Sequence, residues 1–220
     1  MGRLGERLRF YRNIRFWTYI RYNYFCKQIE RQGRKLIPYK GAVLDLAKGS
    51  RLVIQNGDVE IGCERLRGSK AETFVRLREG AVWQANGGCK LNYCTTLELL
   101  KDAQMESGYF TMNTGSTIVA AKHIHLGTDV MIARNAVIYD SDFHPLRNEN
   151  GEITNPPADV TIGDHVWLAA NVTVLKGAAI GNGAVIGAGT KVSGIVGDKS
   201  LVVSPAELKT IRENVNWTRG

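Results

Sequence analysis

A chain of 220 residues, 44% hydrophobic, is long enough for one sizeable core and a small extra element at most. Its formal charge of +8 is unevenly placed: residues 1–40 hold eleven Lys/Arg against two Glu (+9), and the other 180 hold eighteen basic against nineteen acidic residues (−1). A near-neutral body excludes a nucleic-acid-binding body, which would carry its own basic face; the four cysteines at 26, 63, 89 and 94, without CxxC or metal spacing, suit reduced thiols in a cytosolic protein.

Residues 1–36 contain no six-residue repeat and read as helix, within a basic aromatic segment over 1–40. Arg3, Arg7, Arg9, Arg12, Arg15 and Arg21 interleave with Phe10, Tyr11, Phe16, Trp17, Tyr19, Tyr22, Tyr24 and Phe25. A bilayer span takes about 20 consecutive apolar residues, and arginine interrupts this stretch too often. A cleavable signal would need a clean apolar core and a small-residue cleavage site. Two compatible readings stand. One is a cap on the end of a stack of coils, hiding its last strands from edge pairing. The other is an interfacial segment, with rings at headgroup depth and arginines on anionic lipid, which would make a cytoplasmic protein peripheral on the inner face of the membrane.

Strand-like pieces begin at about residue 41, with patchy phasing; LAKGSR (46–51) and LELLKD (97–102) fit a six-residue unit best. Phasing sharpens at LGTDVM (126–131), IARNAV (132–137) and IYDSDF (138–143). It then breaks. HPLRNENGEITNPPADVT (144–161) is polar, holds three of the five prolines and has no inward aliphatic ladder. A structureless excursion inside a strict repeat points to function, so an extruded loop over about 144–159 is expected.

The repeat resumes at Ile162 and runs to Gly197: IGDHVW, LAANVT, VLKGAA, IGNGAV, IGAGTK, VSGIVG. Ile162, Leu168, Val174, Ile180, Ile186 and Val192 stand six apart. Val166, Val172, Ala178, Ala184, Thr190 and Val196 follow each by four. Apolar positions six apart would wander around a helix of 3.6 residues per turn. A stack of short strands satisfies the pattern, with glycine and asparagine at the corners and aliphatic side chains pointing to a common interior. After the coils (41–203), Ser204 as N-cap, Pro205 at the first helical position and Glu207 three after the cap predict a short C-terminal helix in 204–220.

The run IGDHVWLAANVTVLKGAAIGNGAVIGAGTKV resembles the hexapeptide repeat of the sugar O-acetyltransferases (galactoside, maltose, capsular and lipopolysaccharide), over roughly 97–217. That resemblance implies an all-β fold, a left-handed parallel β-helix with three hexapeptides per coil; the left hand comes from the resemblance, since crossovers are ordinarily right-handed. It also implies acetyl-CoA as acyl donor, a carbohydrate acceptor and a homotrimer whose sites lie between subunits.

Transfer from a thioester to a hydroxyl needs a base, and imidazole, with an ordinary pKa of about 6.5, suits that work near neutral pH. The family's catalytic histidine precedes a proline at the loop entrance after a repeat like LGTDVMIARNAVI, which here places the role on His144, before Pro145. An acidic partner could be Asp142 or Glu152. Asp140 and Asp142 are close in sequence but at most one is well placed on a strand, and Glu152 matches an NGE of galactoside-acetyltransferase-like sequences. Asn113 aligns with the family's acceptor-contacting asparagine; the alternative is a corner residue in the left-handed conformation. Arg147 is a further acceptor contact unless it is simply solvated. Trp167 matches a tryptophan that the family keeps beside the active site, or else packs under the loop. Ala170 and Ala188, with Gly187 and Ser193 nearby, match the small residues along which the pantetheine arm runs. The family's basic residue for CoA phosphates is replaced by Glu207, leaving Lys209 or Arg212.

No Ser or Cys nucleophile is evident, so direct transfer is the simpler mechanism. Three rivals remain. A γ-type carbonic anhydrase needs His-x4-His plus a third histidine, whereas this chain offers His123-x-His125 and isolated His165, so no metal is expected. A non-catalytic scaffold would leave the His-Pro loop without a task. N-acetylation of an amino sugar would use the same base and groove.

Overall fold

The computed structural model describes residues 13–204. Among them the chain winds through three parallel sheets of eight, eight and seven strands, in which each strand pairs with the one three places further along. The result is a left-handed parallel β-helix. Its first face runs from Ile29–Arg31 to Ile195–Val196, its second from Leu36–Pro38 to Leu201–Val202, and its third from Ala42–Leu46 to Lys191–Val192.

The six-residue ladder builds the lower coils as its spacing predicts. Ile162, Leu168, Val174, Ile180 and Ile186 are 0–2% exposed, and the companions Val166, Val172, Ala178, Ala184 and Thr190 are likewise buried. Two-residue strands leave a corner every six residues, and the chain turns there through the left-handed region. His165 (φ +54°), Asn171 (+60°), Gly177 (+77°), Gly183 (+68°) and Gly189 (+73°) repeat that turn at intervals of six. Asparagine and histidine are the side chains that best tolerate this geometry, which is why they stand in for glycine.

The upper coils have longer strands and a bulkier interior. Leu52, Trp83 and Met105 lie in register on the first face, all fully buried. Trp83 packs against Phe110 with ring centroids 6.4 Å apart, and its indole N–H donates to Ser107 Oγ at 3.0 Å. Larger side chains fill a coil with fewer repeats of strict length, so the period is blurred there although the architecture is unchanged.

The coils begin at Ile29, ahead of the boundary expected at 41, and the helical reading of 1–36 narrows among the described residues to helix Phe16–Ile20 and a π turn at Arg21–Phe25. The strands Ile29–Arg31 and Leu36–Pro38 are three residues each, too short to show alternation within a basic stretch. The helical piece closes the first coil. The amide of Asn23, 1% exposed, donates to Leu36 O at 2.6 Å and accepts from Leu36 N–H at 3.0 Å, replacing the strand that Leu36 would otherwise pair with. Tyr22 O–H donates to Leu44 O at 2.9 Å. Of the expected C-terminal helix only Ser204 is described; Lys209, Arg212 and the rest of 205–220 lie outside the described residues.

Candidate active site on the third edge

The loop leaves the stack between strand Val137–Tyr139 on the third face and Val160–Ile162 on the first. Asp140 roots it. Its fully buried carboxylate accepts from the backbone N–H of Ala121 (2.7 Å) and Lys122 (2.8 Å), the corner one coil above, and its carbonyl receives the N–H of Ala158 at 3.0 Å, closing the neck. That structural task takes Asp140 out of the choice of acids beside the histidine. Ser141 Oγ accepts from Phe143 N–H, Phe143 turns through φ +61°, and its ring meets Tyr139 edge-on at 5.1 Å. His144 follows immediately, its N–H bonded to Asp142 O at 2.7 Å, and Pro145 holds it extended.

The segment expected to be structureless is a hydrogen-bonded hairpin. Thr154 N–H donates to Leu146 O (2.9 Å), Asn148 N–H to Glu152 O (3.0 Å) and Gly151 N–H to Asn148 O (3.0 Å), with Gly151 at φ +80° supplying the turn. Arg147 bridges Ile153 across it. Polar composition hid the hairpin because its pairing is backbone-driven and both faces meet solvent.

Two acid–lysine pairs brace the loop at its ends. Lys176 Nζ donates to Asp142 Oδ2 at 2.6 Å and to Asn155 O at 3.1 Å, while Asn155 Nδ2 reaches Asp142 Oδ2 (2.9 Å) and His144 O (3.0 Å). Lys122 pairs with Asp159 at 2.8 Å. Sequence reading missed Lys176 and Asn155. The available signal was Lys176 itself, a charge among the small and aliphatic residues of TVLKGAAIG. Hydrogen bonds from Lys176 and then Asn155 hold the Asp142 carboxyl below its ordinary range. A lowered carboxyl contributes above its unfolded value, about 3.9, and its contribution disappears as pH falls through the still lower folded value. The clasp is therefore closed at neutral pH and opens only in acid. Lys176→Met is expected to raise amide hydrogen exchange across 146–155 at pH 7 toward the level that wild type reaches only in acid, after correction for intrinsic rates. Equal protection in the two proteins would mean that the clasp holds nothing.

The structure distributes the other expected residues over different parts of the prism. Neither carboxylate meets the histidine: Asp142 is engaged by Lys176 and Asn155, and Glu152 accepts from Asn148 Nδ2 at 2.8 Å. Among the described residues no group hydrogen-bonds the exposed His144 imidazole. Arg147 donates to Gly151 O at 2.6 Å within the hairpin. Ser193, exposed, lies on the third edge two coils below the loop.

Asn113, Ala170, Gly187 and Ala188 stack instead on the second edge, between the second and third faces, whereas the loop leaves the third edge, between the third and first. Asn113 is not in the left-handed conformation; Asn135 and Asn171 take that place at their corners, and Asn113 Oδ1 accepts from Asn92 Nδ2 at 2.8 Å. Ala170 is half-buried and Ala188 exposed, and a Cβ on Gly189 would meet no atom within 4 Å. A Cβ on Gly187, by contrast, would meet Val203 Cγ1 at 2.5 Å, so the open part of this edge lies at Ala188 and Gly189. Trp167 stands on the second face, 45% exposed and in register between Met131 and Val185, in a shallow depression also lined by Asp129, His165 and Gly183. That face does not border the third edge, so Trp167 does not pack under this chain's own loop. His165 Nδ1 lies 2.6 Å from Asp129 Oδ2, and His123 and His125 stand near Asp159 and Glu106.

Residues 159–194 match the family described as bacterial transferase hexapeptide (six repeats). Over 69 residues the chain is 48% identical to a polysialic acid O-acetyltransferase of Neisseria meningitidis, covering 30% of this chain and 32% of that protein. Over 107 residues it is 34% identical to the galactoside O-acetyltransferase of Escherichia coli strain K12, covering 47% and 51%. A crystal structure of a polysialic acid O-acetyltransferase aligns with a TM-score of 0.56 and 26% identity, over 87% of this chain and 90% of that one. The chain thus spans about one third to one half of the length of these curated relatives in sequence.

Proposed function

We propose that this hexapeptide-repeat chain, which resembles the sugar O-acetyltransferases, transfers an acetyl group from acetyl-CoA to a carbohydrate hydroxyl, on a bacterial surface polysaccharide or its precursor. The observation that carries the reading is His144: an imidazole without a hydrogen-bond partner among the described residues, fixed by its backbone at the mouth of a braced hairpin. Acetyl-CoA would supply an activated thioester, whose C–S bond breaks as the acceptor oxygen bonds to the acetyl carbon. His144 takes the hydroxyl proton as that oxygen attacks and returns it to the departing sulfur. Ala170 and Ala188, with Gly187 beside Val203, are the small residues proposed along the pantetheine arm; Asn113 and Arg147 are the acceptor contacts proposed, and Ser193 and Lys209 further donor contacts.

His144 and the small-residue edge lie on different edges of one prism, which supports a homotrimer completing each site between two copies. Two apolar surfaces await such packing: Phe143, Leu146 and Ile153 on the loop, and Met131, Trp167 and Leu201 on the second face, all 39–72% exposed. In that arrangement Trp167 would meet a neighbour's loop, and the carboxylate orienting His144 would come from Asp142 or Glu152 only after the hairpin shifts. The test incubates purified protein with acetyl-CoA and a panel of capsular and lipopolysaccharide oligosaccharides, following thiol release and product mass. A base-labile acetylated sugar is expected. A base-stable product would replace the ester with an amide, and no binding of acetyl-CoA would return the chain to a scaffold.

A further inference from the structure

The helical piece over 16–25 has two sides, and the fold uses only one. Tyr22 and Asn23 close the first coil, whereas Phe16 (62% exposed), Trp17 (80%), Tyr24 (57%) and Phe25 (77%) face outward. Trp17 on the α turn and Tyr24 on the π turn are both exposed, with Arg21 between them in sequence. Phe16 and Trp17 pack edge-on at 5.4 Å, and Arg31 and Lys35 lie over the Tyr24 ring at 5.3 and 5.2 Å. Capping is complete without these rings. Their exposure is left unexplained by the fold.

The charge of the same end is one-sided. Between 13 and 40 there are seven basic residues (Arg15, Arg21, Lys27, Arg31, Arg34, Lys35, Lys40) and one acid, Glu30, which is already paired with Arg51 at 2.8 Å. The segment before residue 13 carries four more arginines and one glutamate in its sequence. No helix among the described residues is long and apolar enough to cross a membrane.

From the combination of exposed aromatic rings and an excess of positive charge in the segment that closes the stack, we propose that this end docks on an anionic lipid bilayer surface. Tryptophan and phenylalanine seat at the headgroup–acyl boundary, where an apolar body and a wet rim are both satisfied, while lysine and arginine meet lipid phosphates. A polyanionic glycan would use the charge but offers no apolar layer to receive Phe16 and Phe25, so the bilayer matches more of the surface. Docking is independent of acyl transfer, because neither His144 nor the second edge takes part.

The full-length chain is sedimented with vesicles of phosphatidylcholine alone and of phosphatidylcholine with phosphatidylserine. Wild type is expected to bind only the anionic vesicles, with affinity falling as salt rises past the range where the Debye length is about 10 Å. Trp17→Ser with Phe25→Ser is expected to weaken binding about tenfold or more at a nearly unchanged thermal midpoint, since these rings are largely exposed. His144→Ala is expected to bind like wild type, which separates this inference from the catalytic one. Equal binding to both vesicle types, no binding at low salt, or an unaffected double variant would overturn it. So would full release by a soluble anionic oligosaccharide at matched ionic strength, which would assign the surface to a glycan.

Discussion

His144→Ala is expected to lower acetyl transfer about 10²- to 10⁴-fold, the range supplied by a positioned general base. The affinity for acetyl-CoA should be unchanged, because the side chain has no bond to any described residue and removing it disturbs neither the hairpin nor its clasp. The loss should therefore appear in kcat. Equal rates would move the proton transfer to another group. His165 with Asp129 would then be the next pair to test.

Trp83→Ala is expected to cost about 3–5 kcal/mol, the range for removing a large aromatic from a core. Trp83 is fully buried between Leu52 and Met105 on the first face, packs on Phe110, and gives Ser107 its only side-chain partner among the described residues; truncation empties the coil's centre and strands that hydroxyl. Coils stacked in one dimension depend on their nearest neighbours. The damage should therefore be felt on both sides of one layer and show as a lower urea midpoint, with a broadened transition if the upper coils come apart first. A midpoint within error of wild type would mean that the stack repacks around the void.

Both expectations rest on parts of the chain that differ in how readily the sequence shows them. Ile162 to Val192 were legible because two-residue strands make the period rigid: each aliphatic residue has one inward slot, and each corner must turn through the left-handed region every six residues. The upper coils were obscure because strands of three to five residues and the longer corner at 64–72 change the spacing without changing the pairing. Ile29–Arg31 and Leu36–Pro38 were hidden inside a segment whose composition is dominated by its outer surface.

In the site, His144 was legible through its place before Pro145 at the point where the repeat fails. Its surroundings were not. The carboxylates near it in sequence, Asp140, Asp142 and Glu152, are drawn to the backbone of Ala121 and Lys122, to Lys176, and to Asn148, partners that only the coil stacking and the hairpin bring near. Proximity along the chain could not reveal Ala121, Lys122 and Lys176, because residues eighteen or more positions away are neighbours in adjacent coils, and Asn148, four residues from Glu152, is brought to it by the hairpin turn. Asn113, Ala170 and Ala188 were singled out by position along the chain, yet that they share an edge, one face removed from the loop, follows only from counting strands.

Counting strands has a further consequence. On the first face, five strand spacings separate Ile29–Arg31, beside the aromatic end, from Val160–Ile162, where the histidine loop returns. At about 4.8 Å per spacing, the loop stands roughly 24 Å from that end. The stack is thus a ruler with coil-sized divisions. Against a lipid surface it would hold the proposed catalytic histidine at a fixed stand-off, out of reach of sugars lying flat among the headgroups and level with those carried further along an extending chain. Adding or deleting one coil would change which sugar unit falls at the mark, while leaving the chemistry at the mark untouched.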